Sequence, residues 1–178
     1  IAAFVLSLEK IHLLQEPDAI LSCSLNVVLN CSTVMQSWQS TAFFGIPNMY
    51  IGLMAFPVLI TVAVAALWGG ARYSRNFLRT MTVGVFLGTV FAYWLFFSSL
   101  YDIRVLCPWC LVVTVSCTLM FAATLHIGLK ENIWNIKKKT NAVVQNFLKS
   151  GYHQLVVAAW LVPMGALVFM QFGAALFA

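Results

Sequence analysis

The sequence predicts an all-α integral membrane protein, and two observations carry this prediction. Of the 178 residues, 62% are hydrophobic and only 8% are charged, with a mean hydropathy of +0.91. Soluble domains carry roughly a quarter charged residues. Several apolar stretches also run for about twenty residues, the length that a helix needs to cross the hydrocarbon core. We therefore expect a compact bundle of five spans without a second soluble domain.

The chain opens inside an apolar segment, residues 1–14, which we predict to be the outer end of the first span. Such a segment rises about 21 Å, whereas the hydrocarbon core is roughly 30 Å thick. Because an initiator methionine is also missing, we expect this helix to be truncated. Glu9 and Lys10 lie near its polar end. Pairing or snorkelling at the interface is the favoured interpretation, and a proton-carrying role for Glu9 is the alternative.

A long polar segment, residues 15–47, follows and carries Cys23 and Cys31. Within it, residues 32–39 are predicted to form a short interfacial helix, because Val34, Met35 and Trp38 would share its apolar boundary. Long connecting segments are usually lids or disordered. The apolar residues inside this one favour a lid.

Four further spans are expected, separated by basic segments and one tight turn. The spans are predicted at residues 49–68, 78–100, 105–126 and 154–177, and the connections at 69–79, 101–106 and 128–153. In terms of domains, we expect a four-helix core at 1–128, a basic cytoplasmic loop at 129–153 and a fifth span at 154–178.

The basic residues predict the orientation of the bundle. Eight of the ten Lys and Arg residues fall in the segments after the second and fourth spans, so these segments are expected to be cytoplasmic. The net charge of +5 thus reflects orientation in a membrane and not nucleic-acid binding. The same rule places four cysteines together on the extracytoplasmic face, where disulfides are chemically permitted. They are Cys23, Cys31, Cys107 and Cys110.

The motif Cys107-Pro108-Trp109-Cys110 stands where the fourth span begins. The i, i+3 spacing brings both sulfurs to one side of the first helical turn, and proline suits the first helical position. The positive end of the helix dipole favours a thiolate there. For Trp109, a membrane anchor is at least as good an interpretation as a catalytic role.

The loop pair Cys23-x7-Cys31 fits a relay between a soluble partner and sulfurs at the membrane surface, with a purely structural disulfide as the alternative. Cys117 lies in an apolar run and is interpreted as a small core residue. A metal site built from the four cysteines remains a further alternative. It is disfavoured because His12, His126 and His153 show no ligand spacing with them.

A dithiol at the membrane boundary can pass two electrons to a lipid-soluble quinone. A quinone pocket needs apolar walls and a few hydrogen-bond donors for its carbonyls. Asn48, at the outer start of the second span, is interpreted equally well as such a donor and as a helix N-cap. The aromatic residues towards residue 100 are candidate walls, although core or lipid-facing packing suits any single one of them.

At this point the sequence resembles the vitamin K epoxide reductase family, and specifically its bacterial homologues, from Ile1 to about His126. The resemblance rests on several motifs besides the two cysteine pairs. They are Cys31-Ser32-Thr33-Val34 followed by Ser37, Phe44-Gly45-Ile46-Pro47-Asn48, Phe96-Phe97, and Leu100-Tyr101-Asp102.

The resemblance implies a four-helix bundle around a quinone (menaquinone or ubiquinone), plus a fifth span. It further implies that electrons enter from a thioredoxin-fold, DsbA-like partner at Cys23. Cys31 would then exchange with Cys107, and Cys110 would lie beside the quinone. By the same analogy, Asn48 matches the donor to a quinone carbonyl. Ser37 matches a serine near the reactive cysteines.

Two departures limit the analogy. Thr114 stands where the human-type enzyme has a substrate-contacting tyrosine, and the turn from Asp102 to Cys107 is longer than the vertebrate one. Both argue against epoxide reduction. We therefore interpret the chain as a quinone-dependent thiol–disulfide oxidoreductase of a bacterial plasma membrane, which reoxidises a partner that forms disulfides in exported proteins. The alternatives are epoxide reduction and a non-catalytic metal-binding or transport protein.

Overall fold

The computed structural model of the chain describes residues 1–16, 21–24, 29–43 and 45–176, and helices dominate these ranges. The helices are α1 (Ala2–Gln15), α2 (Cys31–Gln36), α3 (Asn48–Leu67), α4 (Arg75–Ser98), α5 (Pro108–Lys130), α6 (Lys138–Lys149) and α7 (Tyr152–Leu176). Across the described ranges, β structure is limited to two isolated bridges. The all-α prediction is confirmed.

Within the described ranges, four helical segments are long and apolar enough to cross a membrane. They are Asn48–Leu67, Arg75–Ile103, Pro108–Lys130 and Tyr152–Gly173, and they correspond to the second to fifth predicted spans. The protein is therefore a multi-pass membrane protein. The helix predicted as the end of the first span, α1, has 14 residues and is too short to be counted with them.

The chain forms two compact units. The first consists mainly of Ile1–Arg72 and Tyr93–Val113, and the second of Tyr73–Ala92 and Thr114–Ala174. The four cysteines of the predicted redox site belong to the first unit, whereas Cys117 belongs to the second.

In the first unit, α1 packs against α3 and supplies apolar side chains to a core that is rich in sulfur. The buried members of this core are Leu6, Leu13, Leu21, Cys23, Cys31, Met35 and Cys107. Cysteine packs as a small hydrophobic residue, so its reactive sulfurs can occupy a core at little cost. The lid and the two cysteine pairs thus share one hydrophobic cluster with α1.

The predicted helix at residues 32–39 is formed in two pieces. One is α2, and the other is a tighter 3₁₀ turn at Trp38–Thr41. Ser37 separates them because its backbone is extended, with φ −69° and ψ 151°. Met35 is buried, whereas Trp38 is 68% exposed and thus lies on the outer side of this lid.

The connection from α4 to α5 is a wider π-helical turn at Ser99–Ile103 followed by Arg104, whose φ of 56° is left-handed. Residues other than glycine are disfavoured in the left-handed conformation. A single left-handed residue typically ends a helix. The chain then reaches Leu106 and Cys107, both of which are buried. The predicted tight turn therefore delivers the second cysteine pair into the core of the first unit.

In the second unit, the two basic segments meet. The Arg79 Nε donates to the Ile133 carbonyl oxygen at 2.6 Å, and the Arg75 guanidinium donates to the Asn135 side chain at 3.0 Å. Both segments therefore lie at one end of this unit. This placement agrees with their assignment to a common side of the membrane.

The segment at 128–153, predicted to be a polar loop, contains the 12-residue helix α6. Gln145 holds this helix to the end of α5 by donating to the Leu129 carbonyl oxygen at 3.1 Å, and Leu148 is its buried residue. Lysines cluster at its start and Lys149 lies at its end. An amphipathic basic helix of this kind suits a membrane surface.

Candidate redox site

Two cysteines that are 76 positions apart in the chain come into contact in the first unit. The sulfur of Cys31 lies 3.4 Å from the sulfur of Cys107. Cys31 is 0% exposed and Cys107 is 2% exposed. Thiol–disulfide exchange requires one sulfur to attack another at close range. This pair is therefore in position for exchange.

A short piece of backbone pairing places these sulfurs side by side. Leu29 and Leu106 form a parallel β-bridge, and the Asn30 N–H donates to the Leu106 carbonyl oxygen at 3.0 Å. This pairing ends directly before Cys31 and Cys107. The two cysteines therefore lie next to each other on adjacent segments of backbone. Backbone pairing thus contributes to the contact between them.

Asn30 also fixes the start of α2. Its side-chain oxygen accepts hydrogen bonds from the Ser32 N–H at 3.0 Å and the Thr33 N–H at 3.3 Å. The same oxygen accepts from the Ser24 hydroxyl at 3.1 Å, which links it to the residue after Cys23. Asparagine is among the best N-cap residues because it satisfies amide groups that the helix leaves free. Asn30 thus connects the segment that contains Cys23 with the helix that begins at Cys31.

The two cysteine pairs are in different redox states. Cys23 and Cys31 form a disulfide whose Cα atoms are 5.7 Å apart, whereas Cys107 and Cys110 are free thiols. Cys31 therefore touches both its disulfide partner and the thiol of Cys107. In this arrangement the Cys107 thiol lies beside one sulfur of the loop disulfide, as exchange between the two pairs requires in either direction.

Cys107 stands directly before α5, and Pro108 is the first residue of that helix, as predicted. The Cys110 N–H donates to the Cys107 sulfur at 3.3 Å. A side-chain hydrogen bond with Cys110 lowers the pKa of the Cys107 thiol, with smaller help from the backbone N–H groups of Cys110 and Trp109. Burial opposes this effect but does not overcome it. The site therefore favours a thiolate at Cys107.

The predicted serine takes part in the lid. The Ser37 hydroxyl donates to the Val34 carbonyl oxygen at 2.7 Å, and the Ser37 carbonyl oxygen accepts from the Ser40 hydroxyl at 2.8 Å. These bonds tie α2 to the 3₁₀ turn that follows it. A direct role for Ser37 at the cysteines stays a prediction.

Asn48 is the first residue of α3, and only one of the two polar groups of its side-chain amide has a hydrogen-bond partner within the described part of the chain. Its side-chain NH₂ donates to the Gln39 carbonyl oxygen at 2.6 Å. Its side-chain oxygen is buried and has no hydrogen-bond partner among the described residues. A buried acceptor without a partner is costly, so such a group points to a donor from outside the chain. The helix is not capped by this side chain.

Aromatic side chains at the end of α4 were predicted as candidate walls of a quinone pocket, and in the structure several of them pack against other aromatic rings. Trp94 packs edge-on against Trp38 of the lid, with ring centroids 5.9 Å apart. Phe97 stacks with Tyr101 at 6.4 Å. Trp109 packs against the sulfur-rich core.

Cys117, which we interpreted as a small core residue, is buried in the second unit, and so is Thr114. The Cys117 carbonyl oxygen accepts from the Thr89 hydroxyl at 3.2 Å. In the ranges that the structure describes, no three His, Cys, Asp or Glu residues are grouped as metal ligands.

Sequence reasoning missed the polar contacts that hold the lid. Glu9 and Lys10 of α1 each bond to it, at Ser22 and at Met35. The Asn30 cap was also missed, although an asparagine directly before a short helix is a recognisable signal. The contacts of Glu9 and Lys10 leave no comparable pattern in the sequence.

Comparison with known proteins agrees with this geometry. The family model for the vitamin K epoxide reductase family matches residues 1–125, a range that includes both cysteine pairs and Asn48. Searches of curated proteins and of solved structures gave no significant match. The family match covers well over half of the chain, and with the helical membrane fold it identifies an oxidoreductase that belongs to the vitamin K epoxide reductase family.

Proposed function

We propose that the protein is a quinone-dependent thiol–disulfide oxidoreductase that reoxidises a thioredoxin-fold, DsbA-like partner. The observation that carries this proposal is the 3.4 Å contact between Cys31 and Cys107. This contact connects a pair in a loop to a pair at the start of a membrane span. It gives electrons a continuous path from an aqueous surface towards lipid.

The proposed path conserves electrons and protons. A partner dithiol reduces the Cys23–Cys31 disulfide, leaving the partner oxidised and two thiols in the loop. The Cys31 thiolate then attacks Cys107 in an oxidised Cys107–Cys110 pair, and Cys23 resolves the mixed disulfide. The loop disulfide is thereby restored. The resulting Cys107 and Cys110 thiols correspond to the redox state of the structure.

In the last step, the Cys107–Cys110 dithiol gives up two electrons and two protons, which convert a quinone to its hydroquinone. The position of Cys110 supports its assignment to this step, because it lies within a segment that can span the membrane. The unsatisfied oxygen of Asn48 fits a ligand that can donate a hydroxyl hydrogen, as a hydroquinone does. Its NH₂ group has a second hydrogen that suits a quinone carbonyl.

The proposed location is the plasma membrane of a bacterium, with the cysteines on the extracytoplasmic face. Support comes from the two basic segments, which contact each other through the hydrogen bonds of Arg75 and Arg79 and therefore lie at a common end. Basic segments remain on the cytoplasmic side during insertion. Disulfide chemistry is favoured on the opposite side.

The test is quinone reduction, followed by absorbance, with purified protein and a reduced thioredoxin-fold donor. We expect turnover with the wild-type protein and none with Cys110→Ser, which should still form mixed disulfides with the donor. Cys117→Ser is the matched control, since it removes a buried thiol from the other unit. Wild-type turnover in Cys110→Ser would refute the assignment. Failure with several quinones, together with metal bound by the reduced protein, would favour the metal-binding alternative.

A further inference from the structure

Two adjacent charged residues of α1 hold the two sides of the disulfide loop. The Glu9 carboxylate accepts a hydrogen bond from the Ser22 N–H at 3.3 Å and another from the Ser22 hydroxyl. The Lys10 ammonium donates to the Met35 carbonyl oxygen at 2.8 Å. Hydrogen bonds to charged groups are stronger than those between neutral groups. Both sides of the loop are thus fastened to one helix.

Each fastening point lies next to a cysteine. Ser22 directly precedes Cys23, and Met35 lies one turn after Cys31 in α2. Met35 is 3% exposed, so movement of this turn would disturb the core that contains the sulfurs. The position of the disulfide relative to Cys107 therefore depends on two contacts from α1.

The chemistry of the Lys10 contact suits a restraint on α2. The Met35 carbonyl group belongs to the last turn of a six-residue helix, where carbonyl groups lack partners within the helix. A cation is favourable at that end because of the helix dipole. The same carbonyl oxygen accepts from the Ser40 hydroxyl at 2.7 Å, which connects Lys10 to the 3₁₀ turn as well.

We propose that Glu9 and Lys10 are positioning residues that keep the loop disulfide against Cys107 during electron transfer. The proposal rests on the function proposed above and adds residues that do not themselves react. Lys10 restrains the helix that begins with Cys31 and is the stronger determinant of the contact between the sulfurs. Glu9 restrains the Cys23 side. A role confined to anchoring α1 at the membrane interface would leave that contact unaffected.

The test uses the full-length double variant Cys23→Ser, Cys110→Ser, in which Cys31 and Cys107 are the neighbouring thiols. Diamide accepts two electrons and two protons as these thiols form a disulfide, and peptide mass analysis gives the rate. We expect Lys10→Met to slow cross-linking roughly tenfold and Glu9→Ala to slow it roughly threefold. Each variant loses a charged hydrogen bond to the loop, and this bond helps to keep the two sulfurs close together.

Conservative variants and a control separate positioning from general damage. Lys10→Arg keeps a charged donor and Glu9→Gln keeps an acceptor oxygen, so both should restore most of the rate. The control is His12→Ala, which removes only an exposed side-chain contact with Glu16 at the end of the same helix. Protection of the buried Cys117 against alkylation reports whether the rest of the protein stays folded.

Unchanged cross-linking in Lys10→Met and Glu9→Ala would overturn the proposal. Equal slowing in the conservative variants, or exposure of Cys117, would also overturn it, because the effect would not be specific to these hydrogen bonds. The assay contains neither quinone nor partner protein. Its failure is thus distinct from failure of the proposed function, which would appear as absent quinone turnover by the wild-type protein.

Discussion

The two cysteine pairs differ in how the chain holds them. Cys23 and Cys31 belong to a loop that is fastened by polar contacts to α1 and by the Asn30 cap, whereas Cys107 and Cys110 are built into the start of a long helix. Polar contacts at the edge of a protein open more readily than a packed transmembrane helix. The difference indicates a division of labour, in which one pair can move and the other stays fixed.

This division matches the two environments that the proposed reaction must connect. Cys23 is 5% exposed, so the proposed protein partner would gain access to it only when the loop opens. The helical pair needs no such movement, because Cys110 already lies in a span. In the proposed reaction, exchange between Cys31 and Cys107 would connect a movable donor site to a fixed acceptor site.

The largest expected effect comes from removing the sulfur that joins the two pairs. Cys107→Ser should abolish quinone reduction with every electron donor, because Cys31 loses the thiol that it contacts and Cys110 loses the partner with which it forms a disulfide. The measurement is steady-state quinone reduction with a reduced protein donor and, separately, with dithiothreitol. Turnover within a few-fold of wild type would show that the pairs are not connected in series.

The next effect should depend on the donor. Cys23→Ser is expected to reduce turnover with the protein donor by roughly a hundredfold or more, since the attacked sulfur is lost. Dithiothreitol, which is small enough to reach the inner pair directly, should remain effective. Side-by-side rates with both donors check this expectation. Equal losses would contradict the separation between a movable and a fixed pair.

A smaller effect is expected at the proposed quinone contact. Asn48→Ala should raise the KM for quinone roughly tenfold, as expected for loss of a buried hydrogen-bonding group. Cross-linking between Cys31 and Cys107 should be unchanged, because Asn48 bonds to Gln39 of the lid and not to a cysteine. An unchanged KM would exclude the contact. Gln39 uses its backbone oxygen here, so Gln39→Ala keeps that partner and provides a control.

The fixed pair should also differ from an ordinary thiol in its pH dependence. Hydrogen bonding with Cys110 lowers the pKa of Cys107, so its thiolate is present at lower pH than that of a free cysteine. After reduction, labelling of Cys107 by a small methanethiosulfonate should therefore reach half its maximal rate at a lower pH than for a model thiol. Cys110→Ala removes the main cause and should move the midpoint upwards. Identical profiles would refute this role of Cys110.

The smallest effect concerns the movable loop. Asn30→Ala should lower the free energy of unfolding by about 1 kcal/mol, the typical loss for an N-cap. Asn30→Asp keeps the acceptor oxygen and should lose less. Thermal unfolding in detergent measures both. If Asn30→Ala is as stable as the wild-type protein, the cap does not hold the loop.

The sequence was sufficient to predict the helical membrane fold, the start of α5 at Cys107-Pro108-Trp109-Cys110, and the segment that contains α2. Long apolar runs and proline at a helix start are local signals, so these predictions required no knowledge of contacts. The break at Ser37 and the helix α6 were not predicted. The predicted helix ran through Ser37 because apolar residues continue as far as Trp38, whereas the polar residues around α6 mask its helical pattern.

The contact between Cys31 and Cys107 was expected only from family resemblance. It depends on the bridge between Leu29 and Leu106, and a single bridge leaves no periodic pattern in a sequence. The bonds from Glu9 and Lys10 depend likewise on how α1 packs against the loop. Contacts of this kind are decided by tertiary packing.

The central claim is that the two pairs exchange through Cys31 and Cys107. In Cys110→Ser with an oxidised loop, attack of Cys107 on Cys31 would form a new disulfide and release the Cys23 thiolate, which N-ethylmaleimide then alkylates irreversibly. Peptide mass analysis should find Cys31 linked to Cys107 and the maleimide on Cys23. An intact Cys23–Cys31 disulfide, with the maleimide on Cys107 alone, would contradict the claim.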